Sequence, residues 1–322
     1  MPDVARLSRD RLRALPPEAG AVVMGLGVVA LDSRHLGLPA VWWSLLVTAA
    51  LAWLVLMSAF VQRFVTDRSR LTAEAARPAA LTVAASTGVL GLGACAVGAG
   101  VLASGLLVVA VACWLVVLPR VLAVGWRPEA APFVGGWFLL CVASQSVAAL
   151  AAHLAVLTRA VWLLPLSAAA MLVGLALYWF VLSRFDLRQI RTGQGDHWVA
   201  GGALAISVVS IASLTEALRD LHVAEFFAVI GTAAALVLLT ATVCWYLVLL
   251  VAECVTPRLR YDLRRWATVF PLGMTCAAGS ATATVSGVTA LSVGAQVLFW
   301  PALIVLCLTG WGALRRVWTS PR

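Results

Sequence analysis

The chain has 322 residues, of which 62% are apolar and 11% charged, with a formal charge of +9 and a mean hydropathy of +0.99. Soluble domains carry roughly 25% charged residues, and disorder needs low hydrophobicity with high charge, so this balance excludes both classes. A secreted disulfide scaffold would be shorter and denser in cysteine. A polytopic membrane protein remains.

All 23 basic residues are arginine, and most lie in short segments between apolar runs, which fits a bilayer rather than nucleic acid. The seven cysteines fall within or at the edges of apolar runs with no C-x-x-C pair, and read as small buried hydrophobes. No metal site, cofactor or nucleic-acid partner is expected.

Crossing roughly 30 Å of hydrocarbon takes about 20 apolar residues. In chain order the runs are 20–37, 39–64, 79–98, 99–118, 135–156, 160–184, 196–217, 224–255, 265–287 and 289–315. They predict an all-α integral membrane domain over 20–315, flanked by a cytoplasmic segment 1–19 and a cytoplasmic tail 316–322. Counting arginines by side puts 20 on one face of the membrane and only Arg34, Arg159 and Arg219 on the other. By the positive-inside rule both termini are then cytoplasmic and the span number is even. An alternative is a cleavable signal peptide, since an arginine-rich start precedes the apolar stretch 21–31. That reading would leave nine spans.

The ten runs pair as five hairpins, and the first members start near 20, 79, 135, 196 and 265, a weak repeat of about 60 residues. The odd-numbered runs hold 15 Gly in 105 residues and the even-numbered 7 in 130, with 16 and 12 Ser plus Thr. Small and hydroxyl residues permit close helix approach and can line an uncharged aqueous path. The odd runs are therefore expected to form an inner ring of five around a central pore. Gly25, Gly27, Gly88, Gly91, Gly93, Gly201, Gly202, Gly273 and Gly279 either keep side chains off that path or simply let helices pack. Trp42, Trp43, Trp137, Trp162, Trp179, Trp198, Trp266 and Trp318 lie near run ends, where interfacial anchors are expected.

An ionisable residue at mid-bilayer is costly and usually functional, yet none is found there: Asp32, Glu216, Glu225, Glu253, His153 and His197 all fall near run ends. Ser146 and His153 share a helix face, but two turns separate them by roughly 10 Å, too far for a nucleophile and its base. No catalytic residue is expected. Gln145, flanked by Ser144 and Ser146, is the most polar point at the centre of an odd run, serving either the path or a neighbouring helix. Phe270 precedes Pro271, a helix-bending residue, so its ring either obstructs a narrow path or packs the core. The arginine clusters either funnel anions or follow from the positive-inside rule alone. Asp196 is read as an N-cap.

These residues carry a resemblance. Val23-Met24-Gly25-Leu26-Gly27 is similar to the opening V-M-x-x-G of the tellurite-resistance/dicarboxylate transporter family, and Trp266 through Phe270-Pro271-Leu272 to its W-x-x-x-F-P-L stretch. That family includes bacterial TehA, fungal malate permeases, sulfite exporters and the slow-type (voltage-dependent) anion channels of plant guard cells. Gly136-Trp137-Phe138 through Gln145-Ser146, and Gly195-Asp196-His197-Trp198, look like stretches of actinobacterial members. The resemblance implies five inner helices surrounded by five outer ones, a homotrimer with one pore per subunit in the plasma membrane, and Phe270 as the pore gate. Pore-lining candidates are Gly25, Gly27, Ser144, Gln145, Gly201, Gly202 and Gly273, with Pro271 as the helix kink. The expected cargo is a small anion: chloride or nitrate, or a C4-dicarboxylate such as malate, sulfite or tellurite. A proton-coupled carrier is the second reading, and an intramembrane enzyme or receptor a distant third.

Overall fold

The structure, a computed structural model, describes residues 15–126, 132–193, 195–257 and 261–319, with the side chains of residues 317 and 319 excepted. Arg6, Arg9, Arg11, Arg13, Arg127, Arg258, Arg260 and Arg322, which contribute to the charge asymmetry, lie outside the described residues, as do most of the expected terminal segments.

Each of the ten apolar runs folds as one long helix: α1 (Gly20–His35), α2 (Pro39–Thr66), α4 (Thr82–Ala96), α5 (Gly100–Gly125), α6 (Leu139–Thr158), α7 (Leu163–Leu182), α9 (Val199–Asp220), α10 (Glu225–Val255), α11 (Trp266–Ser286) and α12 (Thr289–Thr319). Two short helices that periodicity did not suggest, α3 (Arg68–Ala75) and α8 (Gln189–Thr192), lie in the longer connections. No β-strand occurs among the described residues, only an isolated bridge between Phe133 and Phe185. Among the described residues, eight helices are long and apolar enough to cross a membrane. The other two long helices are α1, whose 16 residues reach about 24 Å, and α11, whose apolarity is diluted by Thr268, Thr275, Ser280, Thr282, Thr284 and Ser286.

The hairpins share local rules. A 3₁₀ turn introduces α1, α4, α6, α9 and α11 in turn: Pro17–Ala19, Pro78–Leu81, Gly135–Phe138, Asp196–Trp198 and Leu263–Arg265. At the far end, a left-handed residue reverses the chain: Gly37, Gly98, Arg159, His222 with Ala224, and Gly287. Glycine meets that geometry without strain, whereas a residue with a Cβ gives up roughly 1–2 kcal/mol. Asp196 belongs to its 3₁₀ turn and makes no capping bond; the N-cap position there is Gly195. The expected cap is thus corrected, because the extra turn displaces Asp196 from the helix boundary.

Burial separates the two helix sets. The apolar windows of α4, α6 and α9 are 78%, 89% and 100% buried, against 17–39% for α2, α5, α7, α10 and α12. In α1, 11 of 16 residues are buried, and in α11, 14 of 21. Contacts run α1 to α4, α4 to α6, α6 to α9, α9 to α11 and α11 back to α1. Each peripheral helix packs on its own hairpin partner and on the next buried helix: α2 on α1 and α4, α5 on α4 and α6, α7 on α6 and α9, α10 on α9 and α11, α12 on α11 and α1. Large apolar side chains such as Val101, Val108, Phe226, Val237 and Leu308 are left exposed on this periphery, as lipid contact requires. Trp43, Trp162, Trp179 and Trp318 are exposed, whereas Trp42, Trp198 and Trp266 are buried in helix contacts.

The three arginines on the sparse side share a structural task. Arg34 donates to the Ala96 carbonyl at the end of α4. Arg159 Nη1 donates to Asp220 O at the end of α9 at 3.1 Å, and Arg219 Nη1 to Val285 O at the end of α11 at 2.6 Å. Each satisfies a terminal carbonyl that its own helix leaves without a donor, tying one buried helix to the next.

Candidate functional site

Phe270 lies in the second turn of α11 and is 2% exposed. Its neighbours in sequence fix its direction. Val269 packs on Gly25 of α1, where an added Cβ would lie 3.1 Å from Val269 Cγ1. Pro271 packs on Gly202 of α9, where a Cβ would lie 2.8 Å from Pro271 Cγ. Gly279, nine residues on and thus half a revolution away at 100° per residue, faces Ala295 of α12. Phe270 therefore points away from the peripheral helix, between α1 and α9. Ala277 and Ala281, seven and eleven residues on, continue the same stripe.

α11 runs unbroken through Pro271, although the proline removes the bond to the carbonyl four residues earlier. Two residues further, Gly273 meets Val28, Val29 and Asp32 of α1. The helix is secured at its start by Asp262, whose carboxylate accepts from Arg264 N at 2.9 Å and pairs with the Arg264 guanidinium at 3.2 Å. Hydrogen bonding from that guanidinium holds the Asp262 carboxyl below its ordinary range. Arg265 pairs with Glu253 of α10 at 2.8 Å, and Trp198 Nε1 reaches the other oxygen of the same carboxylate at 3.4 Å.

The other candidates separate by direction. Gly25, Gly202 and Gly273 surround the Phe270 segment. Gly27 faces Val89 of α4, and Gly201 faces Trp245 and Leu249 of the peripheral helix α10. Ser144 accepts from Trp114 Nε1 of α5 at 2.9 Å. Gln145 donates to the Met171 carbonyl of α7 at 3.2 Å, accepts from Ser210, and packs on Gly174. Both polar side chains are thus engaged with other helices. Ser146 donates to Val142 O at 2.8 Å, while His153 Nδ1 lies 2.9 Å from Ala149 O, so each is occupied by its own helix.

Asp32 lies in the last turn of α1, as its sequence position suggests, but it is buried. It is 1% exposed, and among the described residues no N–H or O–H group bonds its carboxylate, which has the Cys276 thiol beside it. The signal for it was present: it is the one acidic residue in the first apolar run, but its burial depends on α11 packing over it. No group of three or more His, Cys, Asp or Glu that could hold a metal ion occurs among the described residues.

A buried helical core wrapped in exposed apolar helices is the arrangement of a multi-pass membrane protein. The sequence model of the voltage-dependent anion channel family matches residues 14–314, and the chain belongs to that family. Its members move anions across membranes. Comparison with curated proteins finds no match.

Proposed function

We propose that the protein is a gated anion channel in which all ten long helices span the plasma membrane as five hairpins, with α1, α4, α6, α9 and α11 enclosing the path. The reading places both termini in the cytoplasm, 1–19 and 316–322 outside a single ten-helix domain, and three copies in the assembly. Family membership supports anion transport, and the placement of Phe270 is the observation that carries the gating role. An aromatic ring in a narrow apolar constriction blocks both sterically and by dewetting. Gly25, Gly202 and Gly273 allow the segment bearing it to sit close to α1 and α9, and the weakened helix at Pro271 gives it a place to bend. In this reading Ser144 and Gly201 support the packing of the wall, because their contacts run to α5 and α10, while Gln145 ties α7 to α9 within the wall. Neutral walls hold an anion weakly enough to release it.

The test is anion current through the purified protein in planar bilayers, wild type beside Phe270→Ala, with chloride, nitrate, sulfite and malate in turn. A small wild-type current that rises severalfold in the variant is expected. Silence in both, with uptake of malate or sulfite driven by a pH gradient in vesicles, would instead establish a coupled carrier.

A further inference from the structure

Asp32 is the buried group that the gate as described does not use. It sits in the last turn of α1, against Gly273 of α11, where a Cβ would lie 3.4 Å from Asp32 Oδ2 and 2.8 Å from Val28 Cγ1. Among the described residues no N–H or O–H group bonds its oxygens, and the Cys276 thiol of α11 is its hydrogen-bonding neighbour. An ionised carboxylate sealed with only a thiol, a weak donor, beside it is far costlier than a neutral acid. The closed packing of α1 on α11 therefore fits the protonated form.

The surroundings leave few competitors for that proton. On its own helix His35 follows one turn later, exposed and within electrostatic reach of exposed His153 of α6; Arg34 is committed to the end of α4. On α11 the ionisable neighbour is Cys276. α2 has no ionisable residue before Arg63, α12 has none before Arg315 except Cys307, and α4 has only Cys95. The histidine pair thus lies one turn beyond Asp32, at the end of the bundle where a proton can arrive from water.

Resting on the channel reading above, we infer that Asp32 is a proton-binding site that locks α1 against α11 and so controls the gate. With a proton from bulk water on the carboxyl, the Asp32–Gly273 contact stays dry and α11 holds Phe270 between α1 and α9. Release of that proton to water leaves a carboxylate that must be hydrated. Water can reach it only if α1 and α11 separate at Gly273, one turn from Phe270 on α11. Intramembrane carboxyls serve proton-linked mechanisms for this energetic reason.

The experiment uses the full-length protein in two readouts. In infrared spectra at neutral pH, exposed carboxyls are ionised, so a protonated-carboxyl band marks a buried acid. That band is expected in the wild type and should vanish in Asp32→Asn. In bilayers, wild-type anion current should rise severalfold as pH is raised on the histidine side, while Asp32→Asn stays at the low-pH level throughout. Asp32→Glu, which keeps the acid, should retain pH dependence with a displaced midpoint, guarding against loss of folding in the Asn variant. No such band, a band unchanged in Asp32→Asn, or a current that ignores or falls with rising pH would overturn the site. Phe270→Ala run alongside keeps the two readings apart. Current in that variant with a pH-insensitive wild type sinks the proton site alone. Silence in both sinks the anion path, and the infrared band still decides whether Asp32 holds a proton.

Discussion

Pro271 rests its ring on Gly202: a methyl group at Gly202 would lie 2.8 Å from Pro271 Cγ and 3.2 Å from its Cα. The contact brings α9 and α11 together beside Phe270, and part of the obstruction is backbone that no rotamer change can move. Gly202→Ala is expected to cost about 1–3 kcal/mol, the usual penalty for overpacking. A lower thermal midpoint of the purified protein checks this, and an unchanged midpoint would mean that the helices part freely.

Gly135 is tighter still. A Cβ there would overlap the Asp196 carbonyl and come 2.6 Å from His197 N, joining the 3₁₀ turns that introduce α6 and α9. Nothing lies within 4 Å of a Cβ at Gly136. Gly135→Ala should therefore abolish folded, monodisperse protein, while Gly136→Ala is recovered at wild-type yield in size-exclusion chromatography.

Gln145 bridges Met171 and Ser210, so its removal should weaken helix association and leave the transported ion untouched. Hydrogen bonds between membrane helices contribute roughly 0.6 kcal/mol on average and up to about 1.7. Gln145→Leu is expected to lower stability within that range while anion permeability ratios hold. A changed ratio would place Gln145 in the path.

Arg219 joins the end of α9 to Val285 O and, through Nη2, to Thr232 Oγ1 at 2.7 Å. Charge-assisted bonds contribute about 1.5–3 kcal/mol when buried, and less at this half-exposed site. In Arg219→Gln, hydrogen exchange should quicken over the last turn of α11 and not at the end of α9, which Arg159 holds.

Acid should loosen the start of α11. The Asp262 carboxyl is held below its ordinary range by Arg264, so its stabilising contribution is complete above the unfolded carboxyl's value of about 3.9. It is lost as pH falls through the depressed folded value. Amide exchange in the turn Leu263–Arg265, corrected for intrinsic rate, should gain amplitude only below about pH 4, and the gain should disappear in Asp262→Asn.

The linear order of this protein was legible because membrane crossing demands length and apolarity that stand out in any window. Gly and hydroxyl content also marked α1, α4, α6, α9 and α11 as the helices that close neighbours would cover, since small side chains let backbones approach. The motif around Phe270 and Pro271 was readable as residues. Only tertiary structure decided where side chains point. The helical period shows that Phe138, Cys141 and Gln145 share a stripe, but the partners of Gln145 are Met171 and Ser210, on α7 and α9. The same holds for Ser144, whose partner Trp114 precedes it by 30 residues, and for Gly201, turned to α10 while Gly202 meets α11. Asp32 shows the limit most clearly, since its sequence position near a helix end suggests water. Burial and hydrogen bonding belong to pairs of surfaces, and the surface that seals Asp32 is Gly273, 241 positions further along the chain.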